Sequence, residues 1–393
     1  MGAEGTEPHR SKRSLAIEVL RIVAIAGIAV FHTFQPWFEQ YAAGTYAPAS
    51  FGAVATRPAL VFALGAISLL GAYGNHAFYM ISGYFLVPAA ARSAGDAPYW
   101  GPQAKRCLRR ALPILVSVAF YALVMLAVDA LAVDLDRVSL SKAGWIVGGL
   151  QFIWVYLALA VLAPVIGWVW RRLPHRIAVT CAVLACLYAI NAYIAFVSPG
   201  EAERGLLEWR KLMSAATYLG TFVAGAALRD VLDRARADAG LAARLPHLAS
   251  CALAAAIGVS AAAECIAAIP GNQGLVVALS YNSTSLLSFL LAVTSLAFAA
   301  TRTGRRLEGA PAPVGRALLA ATGSTLGFYI AQSMSTELWH PAMDSLLAAA
   351  LGTHTAPWAA FLAAGTVASL AFVAALLVAD ALVRGTLFRR IGL

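Results

Sequence analysis

The first apolar segment of the chain, LRIVAIAGIAVFH, contains an arginine and a histidine at a spacing that suits chemistry along a helix. Arg21 and His32 are eleven residues apart. At about 100° per residue, eleven steps end roughly 20° past three full turns, so both side chains project from one face, ~16 Å apart along the axis. Glu18 lies three residues before Arg21, a spacing that allows an ion pair on the same face.

These side chains are costly in a membrane helix, which makes them candidates for function. Each ionisable group within a span costs about 2.5–3.5 kcal/mol on the lenient insertion scale. A guanidinium binds phosphates and carbonyls through its fork, and an imidazole exchanges protons near neutral pH. The structural alternative is that Glu18 and Arg21 extend to the membrane interface while His32 packs as a satisfied core histidine. Residue physics alone leaves both interpretations open.

The composition requires that the elements positioning these residues be membrane helices. The chain has 393 residues, 61% hydrophobic and 12% charged, with a mean hydropathy of +0.75. About 20 apolar residues cross a bilayer, so the chain can hold about ten spans with short loops. We therefore predict an all-α, polytopic helical bundle. Its ten predicted spans are 14–35, 62–88, 107–131, 145–170, 176–198, 212–230, 248–268, 282–301, 316–337 and 357–383.

The basic residues predict the orientation of the bundle. Most of the 29 lysines and arginines fall in segments that share one side of the membrane with the N-terminus. Positive residues favour the cytoplasmic side, so both termini are predicted to be cytoplasmic, and the net charge of +10 does not indicate nucleic-acid binding. The predicted domains are a basic segment 1–13, a transmembrane domain 14–383 and a basic tail 384–393. Five cysteines without a C-x-x-C pair predict neither disulfides nor a metal site.

The second span carries polar residues on one helical face. Asn75, Tyr79 and Ser82 stand at i, i+4 and i+7, a face that could meet the Arg21 and His32 face. Gly83 would permit close approach of a helix or of a ligand. Ser82 has no Ser-His-Asp arrangement around it, so a packing hydroxyl is favoured over a nucleophile. His76 is a second candidate for binding a substrate, with packing as the alternative.

The chain resembles the membrane acyltransferase-3 family of glycan O-acyltransferases, and the first two spans carry the more specific part of the resemblance. That family has an arginine, ten residues and a histidine in its first span, with an acidic residue three before the arginine. Here EVLRIVAIAGIAVFH is similar at Glu18, Arg21 and His32. HAFYMISGYFL resembles the aromatic segment that ends in Ser-Gly, at Ser82 and Gly83.

Weaker resemblances extend along most of the chain. KRCLRRALPIL is similar to the family's basic loop, LQFIWVYLALAVLAP to its fourth span, and YLGTFVAGAAL to a later aromatic and glycine span. GSTLGFYIAQSM resembles a segment in which histidine is common at the position of Gln332. This departure puts in doubt any role of a second histidine at that position.

The resemblance implies acyl transfer across the membrane. The donor would be a cytoplasmic acyl-CoA, most simply acetyl-CoA, and the acceptor would be a hydroxyl of an extracytoplasmic or lipid-linked glycan. The protein itself would span the cell membrane in contact with its lipids. Within that reading His32 is the general base or a transient acyl carrier, and Arg21, paired with Glu18, meets the donor. The expected donor-binding residues are Arg21, Ser82, Gly83, Arg106, Arg109 and Arg110. The expected acceptor-binding residues are Asn75, His76, Tyr79, Tyr281 and Asn282, with Glu264 as a further contact.

A proton-coupled transporter is the alternative function. In that case Glu18, Arg21 and His32 would serve proton coupling or gating. The sequence shows no paired broken helices or inverted repeats, which are typical of such transporters. The acidic and histidine residues near the end, Glu337, His340, Asp344 and His354, lack metal-ligand spacing and are expected to form a solvated loop.

Overall fold

A computed structural model describes residues 14–139, 144–197, 206–280, 284–302, 312–352 and 356–391. All regular secondary structure in these residues is helical, and they contain no strand. The helices are α1 (Leu15–Ala43), α2 (Ala49–Ala55), α3 (Pro58–Ser93), α4 (Trp100–Leu131), α5 (Gly144–Val147), α6 (Gln151–Arg172), α7 (Arg176–Phe196), α8 (Leu206–Ala237), α9 (Ala239–Ala267), α10 (Gln273–Ser280), α11 (Leu286–Thr301), α12 (Ala312–Gly323), α13 (Thr325–Met334), α14 (Thr336–Leu351), α15 (Pro357–Leu382) and α16 (Arg384–Ile391).

Seven helices of the described residues are long and apolar enough to cross a membrane. They are Leu15–Ala43, Pro58–Ser93, Trp100–Leu131, Gln151–Arg172, Arg176–Phe196, Ala239–Ala267 and Pro357–Arg390. The all-α, polytopic membrane fold is thereby confirmed. The count of ten spans and the cytoplasmic location of both termini stay predictions.

The remaining predicted spans correspond to less regular helices. The sixth falls within α8, which continues into a charged segment, and the eighth is the 16-residue α11. The ninth, predicted as continuous over 316–337, is divided at Ser324 into α12 and α13. The fourth was predicted to begin at 145, but α5 and α6 are separate there. The breaks at α12–α13 and α5–α6 both lie beside cavities described below.

The segment 36–61, which separates the first two predicted spans, is largely helical. α1 continues through Pro36 to Ala43, and α2 follows at Ala49–Ala55. Trp37 packs edge-to-face with Phe51 and with Phe361 of α15, and the three residues belong to one buried apolar cluster. Burial of these rings stabilises helical structure in a segment that the predicted spans leave as a connection.

α3 occupies the centre of the bundle and packs against α1, α6, α8 and α11. Glycines allow its closest approaches. A Cβ on Gly83 would lie 1.7 Å from the Phe222 carbonyl oxygen of α8, and one on Gly225 would lie 2.1 Å from the Met80 carbonyl oxygen. The backbones of α3 and α8 therefore touch where each helix has no side chain. This contact fixes the position of α3, which also packs against α1.

Candidate active site

α1 holds the two residues that opened the sequence analysis. Arg21 Nη1 donates to both carboxylate oxygens of Glu18 at 2.9 Å, so the ion pair expected from their spacing is present. Glu18 is buried and Arg21 is half-buried. The carboxylate partly neutralises the guanidinium within the bundle, which lowers the cost of placing either charge there.

Arg21 lines a cavity of about 430 Å³, called here the Arg21 cavity. Its principal lining residues come from α1, α3, α4, α6, α12 and α13: Arg21, Phe78, Ser82, Arg110, Pro113, Phe152, Tyr156, Thr322, Thr325 and Tyr329. The wall is mainly apolar and aromatic, and it includes the guanidinium groups of Arg21 and Arg110. Such a cavity can hold an acyl chain while cations meet an anionic group.

The residues predicted to bind the donor separate into two groups. Arg110 and Ser82 line the Arg21 cavity, and the Ser82 hydroxyl donates to the Phe78 carbonyl at 2.9 Å. Arg106 and Arg109 are exposed on α4 and do not line it. Gly83 faces the α8 backbone rather than the cavity, so of the two uses predicted for it the structure shows the helix contact.

His32 lines a second, larger cavity of about 1070 Å³, called here the His32 cavity. Its walls come from α1, the α4–α5 connection, α5, α13 and α14. Among the lining residues are His32, Gln35, Glu39, Asp134, Asp136, Arg137, Trp145, Gln332, Glu337, Trp339 and His340. The cavity is more polar than the Arg21 cavity and is large enough for one or more sugar units.

The hydrogen bonds around His32 define which ring nitrogen is basic. Gln35 Nε2 donates to Glu39 Oε1 at 2.9 Å, which turns the amide oxygen of Gln35 toward His32. His32 Nδ1 is 3.0 Å from that oxygen. An amide oxygen only accepts, so Nδ1 carries the proton and Nε2 of the neutral ring carries the lone pair. His32 is thus oriented as a base by two residues of its own helix.

A layer of packed side chains, called here the partition, borders the Arg21 cavity near the points where the chain runs on to Gly149 and Gln332, which line the His32 cavity. Its members are Ile28, Asn75, Phe152, Tyr218 and Tyr329. The Phe152 and Tyr329 rings stack with centroids 4.2 Å apart, and the Tyr329 hydroxyl donates to Asn75 Oδ1 at 3.0 Å. Asn75 Nδ2 donates to the Tyr218 hydroxyl at 3.2 Å, and Ile28 belongs to the same buried cluster as Tyr329. The two cavities share no lining residue within the described parts of the chain.

Several residues predicted to bind the acceptor do not line the His32 cavity. His76 is buried with Nδ1 2.9 Å from the Thr221 hydroxyl, and Tyr79 is buried with its hydroxyl donating to the Phe152 carbonyl at 3.1 Å. Asn75 belongs to the partition. Their helical face meets α6 and α8, because the glycine contact draws α3 against α8. Tyr281 and Asn282 lie outside the described residues.

Two further expectations are corrected by packing. Glu264, expected to contact a sugar, is buried with its carboxyl against Gly65 of α3. Glu337 and His340, expected in a solvated loop, belong to α14 and line the His32 cavity. Burial lowers the pKa of His340, and the nearby Glu39 carboxylate opposes that shift. His354 lies outside the described residues.

Sequence reasoning missed some residues that surround His32. Gln35 and Glu39 follow His32 by three and seven residues, so helical periodicity could have placed them on its face. Asp134 and Asp136 come from a connection that only tertiary folding brings to the cavity.

Sequence reasoning also missed the buried ion pair of Arg384 and Asp380, because the predicted boundary between the last span and the tail lies between them. Their i, i+4 spacing was the available signal.

Comparison with known proteins identifies the family. A family model described as an acyltransferase domain, of the acyltransferase-3 type, matches residues 14–378. Neither the curated proteins nor the solved structures provide a match. The matched region includes both cavities, the partition and almost all of the predicted spans. The chain therefore belongs to the acyltransferase-3 family and is a membrane acyltransferase.

Proposed function

We propose that this protein transfers an acyl group, most simply acetyl, from a cytoplasmic acyl-CoA to a hydroxyl of an extracytoplasmic or lipid-linked glycan in the cell membrane. The observation that carries the proposal is that α1 presents Arg21 to one cavity and His32 to another. An acyl donor and a hydroxyl acceptor arriving from opposite sides of a membrane need two such sites. The family match favours this function over the transporter alternative.

The Arg21 cavity has the character expected of a donor site. Within the described residues, Nη1 is the atom of Arg21 that bonds Glu18, which leaves Nη2 and Nε for a phosphate or a thioester carbonyl. Arg110 adds a second guanidinium at the wall, and the exposed Arg106 and Arg109 raise the positive potential along α4. The apolar part of the wall suits the acyl end of the donor.

The His32 cavity supports base catalysis. Nε2 of His32 accepts the proton of the acceptor hydroxyl as that oxygen attacks the thioester carbonyl carbon. The carbon–sulfur bond then breaks, and the proton passes to the departing thiolate of coenzyme A. Gln35 keeps Nδ1 protonated through the reaction and Glu39 holds Gln35 in place. If His32 instead carries the acyl group, Nε2 attacks the thioester carbonyl, the carbon–sulfur bond breaks and the coenzyme A thiolate leaves an acyl-imidazole. The acceptor hydroxyl then attacks that acyl group, its proton is lost and the imidazole is regenerated.

The test uses purified full-length protein with radiolabelled acetyl-CoA and a glycan acceptor. We expect His32→Ala to lower transfer at least about 100-fold, the usual contribution of a positioned base, with unchanged elution and thermal unfolding. Arg21→Ala should raise the KM for acetyl-CoA more than the KM for the acceptor. His247→Ala is the matched control, because His247 is exposed on α9 and lines neither cavity.

The results divide the possibilities clearly. Full activity in His32→Ala would overturn the proposed mechanism, and a protein that neither binds acetyl-CoA nor transfers label would overturn the proposed function. Label that stays on the protein without acceptor, and that needs His32, identifies the acyl-carrier route. Glycan mass spectrometry of cells with and without the protein should show the loss of one acyl mass at the acceptor sugar.

A further inference from the structure

The wall of the His32 cavity carries hydrogen-bond donors that are already committed to the protein. Trp145 Nε1 and Trp339 Nε1 each donate to a backbone carbonyl oxygen at 3.0 Å. Gln35 Nε2 donates to Glu39 Oε1 at 2.9 Å. A ligand oxygen in this cavity therefore cannot use these three donors unless a hydrogen bond within the protein breaks.

Gln332 on α13 contributes a buried amide to the same wall. The residue is 2% exposed and lines the His32 cavity. Its Nε2 has no hydrogen-bond partner among the residues that the structure describes. An unpaired donor inside a protein is costly, and the cost is removed when an oxygen of a ligand accepts from it. Because an amide NH₂ only donates, Nε2 of Gln332 is suited to a ligand oxygen that accepts.

The backbone around Gln332 is held in place between the two cavities' walls. α13 ends at Met334, and the Gln332 carbonyl oxygen accepts from Trp339 Nε1 at 3.0 Å and from the Thr336 hydroxyl at 3.4 Å, both on α14. Tyr329, which lines the Arg21 cavity, precedes Gln332 by three residues, ~4.5 Å along the helix axis. The amide therefore belongs to the His32 cavity but lies about one helical turn from a residue of the donor cavity.

The proposed reaction leaves one reacting atom without a protein partner. The acceptor hydroxyl gives its proton to His32, and the coenzyme A thiolate later recovers that proton. Arg21 bonds Glu18, which precedes it on α1 and so lies on the side away from His32. The carbonyl oxygen of the acyl group becomes negatively charged as the hydroxyl attacks. A preorganised donor at that oxygen supplies a large part of the rate enhancement in acyl transfer.

We propose that Gln332 is a catalytic residue that donates a hydrogen bond from Nε2 to the carbonyl oxygen of the acyl group. As the acceptor oxygen bonds the carbonyl carbon, the π electron pair of the C=O bond moves onto the carbonyl oxygen, and Gln332 stabilises the charge there. The C=O bond then reforms, the carbon–sulfur bond breaks, and the thiolate takes the proton from His32. Because Nε2 is enclosed in the resting protein, the amide turns about its Cγ–Cδ bond as the oxygen arrives. This inference rests on the proposed function for the reaction that Gln332 serves.

The first experiment measures acetyl-CoA turnover by the purified full-length protein, with and without a disaccharide glycoside as acceptor. Gln332→Met keeps the length of the side chain and removes the donor. We expect kcat to fall about 100-fold in transfer and in acetyl-CoA hydrolysis alike, with both KM values nearly unchanged. Water attacks the same carbonyl in hydrolysis, so both reactions pass through the same oxyanion. The unfolding temperature should not fall, because Nε2 loses no hydrogen bond.

Gln103→Met is the matched control. Gln103 is 3% exposed on α4 and lines neither cavity, and its Nε2 donates to the Ser93 hydroxyl at 2.7 Å. This variant should unfold at a lower temperature and keep the parent kcat. If Gln332→Met also keeps the parent kcat, the proposal is overturned. A higher KM for the acceptor with unchanged hydrolysis would overturn it as well, because that pattern identifies an acceptor-binding residue.

The second experiment observes the hydrogen bond without turnover. S-acetonyl coenzyme A, a ketone analogue that cannot transfer its group, carries carbon-13 at the carbonyl, and the C=O stretching frequency of the bound analogue is measured by infrared spectroscopy. A hydrogen bond from Gln332 should lower this frequency in the parent relative to Gln332→Met, and equal frequencies would contradict the proposal. If the parent transfers no acetyl group to any glycoside, the proposed function fails, and the infrared comparison still decides whether Gln332 donates to a bound carbonyl.

Discussion

The buried ion pair of Asp380 and Arg384 provides the sharpest prediction about what supports the Arg21 cavity. Arg384 Nε and Nη2 donate to the two carboxylate oxygens of Asp380 at 2.6 and 2.7 Å. The Tyr121 hydroxyl donates to Asp380 Oδ1 at 2.6 Å, and Arg384 Nη2 lies 3.3 Å from the Gly323 carbonyl oxygen, which it satisfies. The pair thus joins α15 and α16 to α4 and to the end of α12, where Thr322 lines the cavity.

Removing one member of this pair should be expensive. Asp380 and Arg384 are 2% and 7% exposed, so Asp380→Asn leaves an uncompensated guanidinium in the interior. Breaking a buried pair in this way costs about 3–5 kcal/mol. Arg384→Gln should cost somewhat less, because Tyr121 still donates to the remaining carboxylate. The double variant removes both charges, and its loss of stability should be at least about 2 kcal/mol smaller than the sum of the single losses.

The assay is thermal unfolding of the purified protein in detergent, with acetyl-CoA titration as a second measurement. The matched control is the pair Arg229 and Asp233, which has the same i, i+4 spacing and a 2.6 Å contact but is half-exposed. Neutralising it should cost about 0.3–0.5 kcal/mol. If Asp380→Asn unfolds at the same temperature as Asp233→Asn, the buried pair does not stabilise the bundle and the reasoning is refuted.

Three further predictions concern the close helix contact, the orientation of the base and the partition. Gly83→Ala should lower the free energy of unfolding by at least about 1–3 kcal/mol, because its Cβ would meet the α8 backbone. Gly258→Ala is the control and should not destabilise the protein, because a Cβ there has nothing within 4 Å. Equal unfolding temperatures of the two variants would contradict the contact. Gln35→Met should lower kcat by about tenfold or more without unfolding, because His32 loses the acceptor that fixes its tautomer; an unchanged pH–rate profile and kcat would contradict this. Tyr329→Phe should raise acetyl-CoA hydrolysis in the absence of acceptor by about fivefold, since one hydrogen bond of the partition is lost; hydrolysis at the parent rate would contradict that role.

Much of the fold was predictable because hydropathy alone decides whether a segment can cross a membrane. It was less informative where burial within the protein replaces exposure to lipid. The break at Ser324 divides a segment that is apolar on both sides, and the carbonyl of Gly323 at the break is satisfied by Arg384, which is distant in sequence. No local sequence pattern predicts that Arg384 will bond the Gly323 carbonyl. The helix α2 likewise depends on rings of α1 and α15 that meet only after folding.

The site divides in the same way. The ion pair of Glu18 with Arg21 was predictable because both lie on one helix and their geometry is local. His76 and Tyr79 were placed at the acceptor from their position on α3, but their orientation depends on which neighbour α3 approaches most closely. The contact of Gly83 with the α8 backbone makes α8 that neighbour, and sequence spacing does not predict this contact.

Under the proposed function, the partition would separate the thioester of the donor from His32. An activated thioester that shares a continuous water-filled channel with His32 would be hydrolysed, because the same base that activates a hydroxyl also activates water. The stacked rings of Phe152 and Tyr329 line the Arg21 cavity and not the His32 cavity, and the hydroxyl of Tyr329 is held by the amide of Asn75. In the proposed reaction, Arg21 and His32, ~16 Å apart on one helix, would hold the donor and the acceptor in separate cavities until the acyl group is transferred.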